Sequence, residues 1–462
     1  MNAHRQADMQ KRISGLFKFF FAATVLAAAT ASYAQGPLEL PQAVAIALEK
    51  NPARKMALAD SQVAHAQVSL AQSGFFPRVG FGETATIGNN PVYAFGTRLQ
   101  QARFTAADFA LNNLNHPEPI GNFSSRIGGQ WNLFDTFAKN YQLRGAKLLE
   151  KSSIDQLNRA DQEVVFHVID TYFEIAVTRK QVEVAEQMVK TAQAMLDSSA
   201  ARVEAGSAVE ADALSARVNL ASRQQELIRA KSAEQLALTQ FETALGVTLT
   251  SGQQPAATLK EQTIFAAPLE ESEARALKQR SDLQAVAAQV GAQQNGVKAA
   301  KAAYGPRLDV FGSWQADNVS MFANGSTNWV TGAELHIDLF SRDREARLSM
   351  EKATLARAEA AQKMAQDSIR LDVRKAWLDH DASGQMLVVS RASVQQAEDS
   401  LRMVRDRYDS GLATITDVLR AEDADRVSRT DYWQSVYRYI VSYAALQLAT
   451  GDLTPQSPVV TQ

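Results

Sequence analysis

Apolar residues recur every seven positions in the first half of the chain: Val182, Val189, Leu196 and Val203, with the small Ala185, Ala192 and Ser199 between them. A seven-residue repeat alternating a larger apolar position with a small one is a coiled-coil seam in which helices approach closely. The polar, alanine-rich run around it, Thr136–Gly246, reads as two long helices folded back on each other at Gly206. From Thr136 to Val203 such a helix is roughly 100 Å long at about 1.5 Å per residue, far beyond what a globular domain needs.

The pattern then returns. Ser341–Gly451 copies the first run with Gly411 and Gly451 standing 205 positions after Gly206 and Gly246. The seam is kept as Leu387, Val394, Leu401 and Tyr408, with Ser390, Ala397 and Val404 between. An internal duplication outranks a domain count based on length. The expected organisation is a first repeat over 35–246, a linker over 247–268, a second repeat over 269–451 and a mobile tail over 452–462.

Each repeat opens with two shorter helical stretches, Leu40–Lys50 and Ala53–Gly74 in the first, Leu269–Lys278 and Asp282–Tyr304 in the second. Prolines then break the pattern, Pro77 and Pro306, 229 positions apart. Beyond them the period falls to two: Arg78–Ala85 and Arg126–Leu133 in one half, Arg307–Trp314 and Thr327–Leu339 in the other, which reads as two strands per half. The halves differ most between paired strands, where Asn89–Phe123 is a long insertion and Asp317–Ser326 is short.

One face of each strand carries Val79 and Phe81, Ile127 and Trp131, Leu308, Val310 and Trp314, or Trp329, Leu335, Ile337 and Leu339. Alternation alone fits a water-soluble sheet with one buried face as well as a lipid-facing sheet. Three of the five tryptophans fall in the strands, as an interfacial aromatic girdle requires. The N-terminus decides in favour of lipid. Lys11, Arg12 and Lys18 precede an apolar run from Phe19 to Ala31 and the small residues of Ser32-Tyr33-Ala34, the layout of a signal peptide over 1–34 cleaved after Ala34. That run falls short of the roughly 20 residues a spanning helix needs. Four strands cannot close a barrel, so several chains must share one.

The 462 residues carry a net charge of −2, with 48 basic and 50 acidic side chains, and give no electrostatic footprint for nucleic acid. The absence of cysteine rules out disulfides, thiolate metal sites and a lipid-modified N-terminal cysteine. None of the six histidines has a partner at metal-binding spacing, and no phosphate loop, nucleophile elbow or zinc motif is present, so neither cofactor nor enzyme chemistry is expected. Asp379-His380-Asp381 and the cluster Glu422, Asp423 and Asp425 read as solvated helix faces.

In this order of elements, given twice, the chain resembles the outer-membrane efflux proteins of the TolC family, down to the Asn132-Leu133-Phe134 and Asp338-Leu339-Phe340 passages into the long helices. The resemblance covers nearly the whole sequence after the leader. It implies a mainly α chain with a membrane β-barrel portion. Three copies would form a homotrimer whose four strands each make a twelve-stranded barrel in outer-membrane lipid, with the helices continuing as a periplasmic tunnel. It further implies a periplasmic adaptor, an inner-membrane pump and a passive exit duct as the function.

Arg407-Tyr408-Asp409-Ser410-Gly411 through Leu419 looks like the family's periplasmic turn, and Arg202 through Leu214 is its counterpart. By themselves Gly206 and Gly411 are helix C-caps, and Asp212 and Asp417 are first-turn acids favoured by the helix dipole. The resemblance adds that the tips, with Arg202 and Arg407, dock the adaptor. It adds that Asp417 lines the entrance and that Tyr408 hydrogen-bonds Asp212 to hold the inner hairpin closed, so that Tyr408→Phe loosens the gate. Ala413 and Arg420 depart from the family pattern, where a basic tether and a second acid can stand, and predict a less acidic, less firmly latched entrance. A duct for type I protein secretion remains open within the class, to be separated by whether a neighbouring gene encodes a proton-driven pump or an ABC exporter. A soluble periplasmic coiled-coil scaffold remains open outside it.

Overall fold

The structure, a computed structural model, describes residues 37–249, 253–261, 266–321 and 325–461. The expected signal peptide over 1–34 lies outside the described residues. The first half runs α1 (Leu40–Lys50), α2 (Pro52–Ser73), β1 (Arg78–Gly88), α3 (Pro91–Gln100), a 3-10 turn (Ala106–Phe109), α4 (Leu111–Asn115), β2 (Ile120–Phe134), α5 (Ala138–Glu204) and α6 (Glu210–Leu245). The second runs α7 (Leu269–Gln279), α8 (Ser281–Ala302), β3 (Arg307–Asn318), β4 (Ser326–His336), α9 (Arg342–Asp409), α10 (Ile415–Thr450) and the short α11 (Pro458–Thr461). With 67 and 68 residues, α5 and α9 are each about 100 Å long. Among the described residues no helix is long and apolar enough to cross a membrane.

The duplication is written in the joints. Gly246 and Gly451 end α6 and α10 with φ of 74° and 82°, the left-handed region that glycine enters at least cost. Each also presses its backbone on the junction between its repeat's two short helices. A Cβ on Gly246 would stand 2.9 Å from the Asn51 Cα, and one on Gly451 would stand 3.2 Å from the Arg280 Cα. Across the same joints Asn51 Nδ2 donates to the Ala244 carbonyl at 2.7 Å, and Arg280 Nη1 to the Ala449 carbonyl at 3.4 Å. The two donors are 229 positions apart and the two carbonyls 205, the offsets read from sequence. An amide has become a guanidinium while the contact persisted.

The main core is a belt at mid-height rather than a globule. Val44 of α1, Val165, Val168, Ile169 and Ile175 of α5, Phe241 and Leu245 of α6, and Val436 and Ile440 of α10 are all fully buried there. Segments without long helices close the belt: Leu38 bridges to Pro255, and Leu259 is buried. So are Leu453, Val459 and Val460, which corrects the expectation of a mobile tail over 452–462. Three apolar side chains amid the prolines are enough to fix the segment in the belt.

Between the belt and the tips the long helices touch mainly each other, whereas toward the sheet α5 packs on α2 and α8 and α9 packs on α8. Ala192 and Ser199 are buried on α5, whereas on α9 the larger Leu387, Leu401 and Tyr408 are. Met364, Leu371 and Leu378, seven apart on α9, stay exposed in the single chain.

The four strands form one antiparallel sheet in the order β1-β2-β3-β4, so the β2–β3 ladder joins the two halves and the edges β1 and β4 are unpaired within the chain. β2 is longer than the periodicity indicated and begins at Ile120. Register puts the expected apolar residues within the strands on one face, but β4 ends at His336, so Ile337 and Leu339 of the expected strand lie beyond it. Phe81 pairs with Ile127, Ile127 with Trp314, and Trp314 with Trp329. Arg126, Gln130, Asn132, Arg307, Asp309, Gln315 and Asp317 share the opposite face. From Leu308 to Ala316 the apolar face rises about 27 Å along the strand, or about 21 Å in height at a tilt of about 40°, close to the band of about 25 Å that an outer-membrane barrel shows to lipid. Glu83, the one charged residue on this face among the described residues, turns its carboxylate to the Ser125 hydroxyl.

Candidate functional site

Both hairpin tips are closed by the same backbone device. At the first, Ser207 N–H donates to the Arg202 carbonyl at 2.8 Å and Gly206 N–H to Val203 at 3.0 Å. At the second, Leu412 N–H donates to Arg407 at 2.8 Å and Gly411 N–H to Tyr408 at 3.0 Å. These paired bonds reverse the chain and satisfy carbonyls at the helix end, with Gly206 and Gly411 at φ of 70° and 76°.

The chain re-enters a helix differently at the two tips. Thr414 caps α10 reciprocally with Asp417: the carboxylate accepts from Thr414 N at 3.0 Å and from Thr414 Oγ1 at 2.7 Å, and that hydroxyl accepts from Asp417 N at 3.3 Å. The Thr414 hydroxyl and amide, helped by the charges of Arg420 and Arg407, hold the Asp417 carboxyl below its usual range. The position matching Thr414 in the first half is Val209, which has no side-chain acceptor, so α6 starts uncapped. No hydrogen bond or ion pair of the Asp212 carboxylate occurs among the described residues.

The bond expected between Tyr408 and Asp212 does not form among the described residues. The Tyr408 ring passes α6 at Ala216, one turn beyond Asp212, and packs with Ile415 and Val418. Arg202 takes the place of the missing partner. Its guanidinium lies 4.7 Å from the Tyr408 ring centroid and its Nη2 is 2.8 Å from Asp409 Oδ1, so one side chain of α5 grips the end of α9. Arg407 and Arg420 make no ion pair among the described residues.

Behind the tips lies a charge network that corrects the expectation of a solvated acidic face. Glu422 is only 5% exposed and Asp425 only 3%. Arg405 binds Glu422 at 2.8 Å, and Arg429 binds Asp425 at 3.0 Å and also reaches Glu398. Asp423 receives Arg426 at 2.8 Å and Arg223 of α6 at 3.3 Å. Burial opposes ionisation of Asp423, and these two arginines outweigh it and keep the carboxyl below its usual range. The spacings Asp423–Arg426 and Asp425–Arg429 were the available sequence signal, because residues three or four apart share a helix face. What they left unread was Arg405 and Arg223 on other helices.

His380 is a second correction. It is 5% exposed, stacked on Tyr439 at 4.9 Å between centroids, with Nδ1 3.1 Å from Ser442 Oγ. Burial pushes its pKa down, with Asp381 and the Tyr439 backbone opposing. Among the described residues no group of three or more side chains is placed to hold a metal ion.

The geometry agrees with comparisons to known proteins. Residues 43–247 and 274–452 match the model of the family described as "Outer membrane efflux protein". Protein CyaE of Bordetella pertussis is 26% identical over 428 residues, 90% of this chain and 82% of that protein. The outer-membrane channel CmeC of Campylobacter jejuni superposes with a TM-score of 0.78 at 17% identity, covering 91% of this chain and 87% of that one. The open-state outer-membrane channel MtrE of Neisseria gonorrhoeae gives 0.73 at 17% identity, covering 90% of each.

Proposed function

The chain belongs to the outer membrane efflux protein family, and on that premise we propose that it is the passive exit duct of a tripartite efflux system. Its place is the outer membrane. The observation that carries the reading is the four-stranded sheet, apolar on one face, polar on the other and open at both edges. Lipid does not tolerate an open edge, so the edges are met by other copies, and three chains make one closed twelve-stranded barrel with the polar face inward. The exposed heptad Met364, Leu371 and Leu378 supports the same assembly.

Below the barrel the long helices form a tunnel in the periplasm, and a periplasmic adaptor docks on the tips around Gly206 and Gly411, where Arg407 offers a cation with no ion pair among the described residues. An inner-membrane pump delivers the substrate. Arg202, holding Tyr408 and Asp409, and Arg223, holding Asp423, tie the second hairpin to the first and keep the entrance narrow. Asp417 from three copies rings the entrance with negative charge, moderated by Arg420 one turn away. Asp212, whose carboxylate has no partner among the described residues, is available to a neighbouring chain.

Membrane fractionation with gel migration before and after heating tests the assembly: an outer-membrane trimer that dissociates on heating is expected, and a fully soluble monomer would overturn the reading. Bilayer recordings of Asp417→Asn test the ring. Weaker block by multivalent cations is expected, and unchanged block and conductance would remove Asp417 from the entrance.

A further inference from the structure

The long insertion between β1 and β2 folds onto the sheet, and it chooses the polar face. Ala94 and Thr97 of α3 and Gln101, which caps its C-terminus, are buried. Gln101 Nε2 donates to the Asn122 side-chain oxygen and the Gly121 carbonyl, both at 2.9 Å, and to the Asn318 carbonyl at 3.2 Å. Asn122 in turn donates to Asp317 at 2.7 Å, and Asp317, on the polar face of β3, is fully covered. The rest of the insertion is stiffened by the Arg98–Asp108 ion pair and by Phe95, Phe104 and Phe109 in edge-to-face contact. The insertion leaves the sheet at the end opposite the long helices.

At 100° per residue, positions 94, 97 and 101 centre on one side of α3, and positions 92 and 99 fall within about 20° of the opposite side. Val92 is 83% exposed and Leu99 50% exposed, and between them Gly96 has nothing within 4 Å of where a Cβ would stand. An apolar stripe with a glycine at its middle, aimed away from the wall of a barrel, is aimed at the barrel axis. Twelve strands about 4.8 Å apart and tilted by about 40° close a ring about 24 Å across. The wall's own side chains take about 5 Å on each side and leave about 14 Å, in which three helices each about 10 Å wide cannot stand apart. The small residues on both sides of α3, Ala94 and Thr97 outward and Gly96 inward, fit that crowding.

We propose that the α3 helices of three copies meet on the barrel axis through Val92, Gly96 and Leu99 and close the outer mouth, a second constriction at the end opposite the hairpin tips. The inference rests on the trimeric barrel proposed above. It assigns the insertion a partner, the same segment of a second copy, and it means that export requires both ends to open.

The chain has no cysteine, so single cysteines report cleanly. In trimers first verified by unheated gel migration, oxidation of Leu99→Cys or Val92→Cys should link two of the three chains. Ile87→Cys, near the same end of the sheet but on the lipid face, should give no cross-link. Replacing 91–117 with a short Gly-Ser linker should raise single-channel conductance about twofold or more, since it empties the mouth of a ring this size. Intact trimers that fail to cross-link at both positions, with conductance unchanged by the linker, would overturn the inference and leave the channel reading standing. Absence of the trimer would overturn the channel reading and the inference with it.

Discussion

In the proposed duct, replacing Arg202 with alanine separates two ways of latching the entrance. The side chain, itself partly exposed, supplies an ion pair to Asp409, most of which is solvent-exposed, and a cation over the buried Tyr408 ring. The first contributes about 0.2–1 kcal/mol at such a site and the second about 0.5–1 kcal/mol. Each chain therefore loses about 1–2 kcal/mol of the preference for the tied state. If the three chains open together the loss is about 3–6 kcal/mol, which moves the open population by roughly two to four powers of ten at about 1.4 kcal/mol for each. Single-channel recording in planar bilayers reads this as the fraction of time at full conductance. Arg202→Lys keeps the charge and loses the planar stack, and should fall between alanine and wild type. The decisive comparison is Tyr408→Phe. The hydroxyl makes no bond to Asp212, so removing it should leave the channel near wild type, whereas Tyr408→Ala should open it. A Tyr408→Phe channel as leaky as Arg202→Ala would refute the grip and restore the hydroxyl tether to Asp212.

Further outcomes follow from other sites. Glu422→Ala removes the buried carboxylate that the half-exposed Arg405 binds, and should lower trimer stability by about 1–3 kcal/mol in thermal unfolding; an unchanged Tm would show the pair to be inert. His380 has a folded pKa below the ordinary 6.5, so the unfolded chain takes up the proton first. Its contribution is complete above about pH 6.5 and is lost as pH falls toward the folded pKa. His380→Gln should flatten the fall in Tm over that window, and an unaltered slope would exclude it as the source. Gly246→Ala combines a positive φ with a methyl 2.9 Å from the Asn51 backbone, whereas Gly206→Ala has the same φ with open space around it. The second should cost about 1–2 kcal/mol and the first clearly more, and equal losses in thermal unfolding would mean the joint at Asn51 is slack.

Most of the architecture was legible because it repeats. Offsets of 205 and 229 positions located both hairpins and both pairs of short helices, and period two located the strands and their lipid face. What escaped reading was contact between helices. Glu422, Asp423 and Asp425 look like a solvated stripe unless Arg405 and Arg223 are known to lie opposite, and a polar stretch does not announce that His380 sits under Tyr439. The last eleven residues misled through their prolines, although Leu453, Val459 and Val460 were the signal of burial. At the hairpin tips the sequence placed Tyr408 at the end of a long helix but did not show what its ring meets. The chain reaches it from Arg202 on a different helix from the one that carries Asp212.

The division between belt and sheet bears on the order in which the molecule is made. The belt draws its buried residues from α1, α5, α6, α9, α10 and α11 and from the closing segment, so one chain completes it alone. The sheet hangs from that body by a few bonds at its base, among them Trp131 to the Phe75 carbonyl, Thr136 to Pro306 and Arg344 to Asp338. Its free edges cannot be satisfied from within the chain. In the proposed trimer the helical body can therefore form before the strands find their partners, and barrel closure, trimerisation and insertion into lipid become one event.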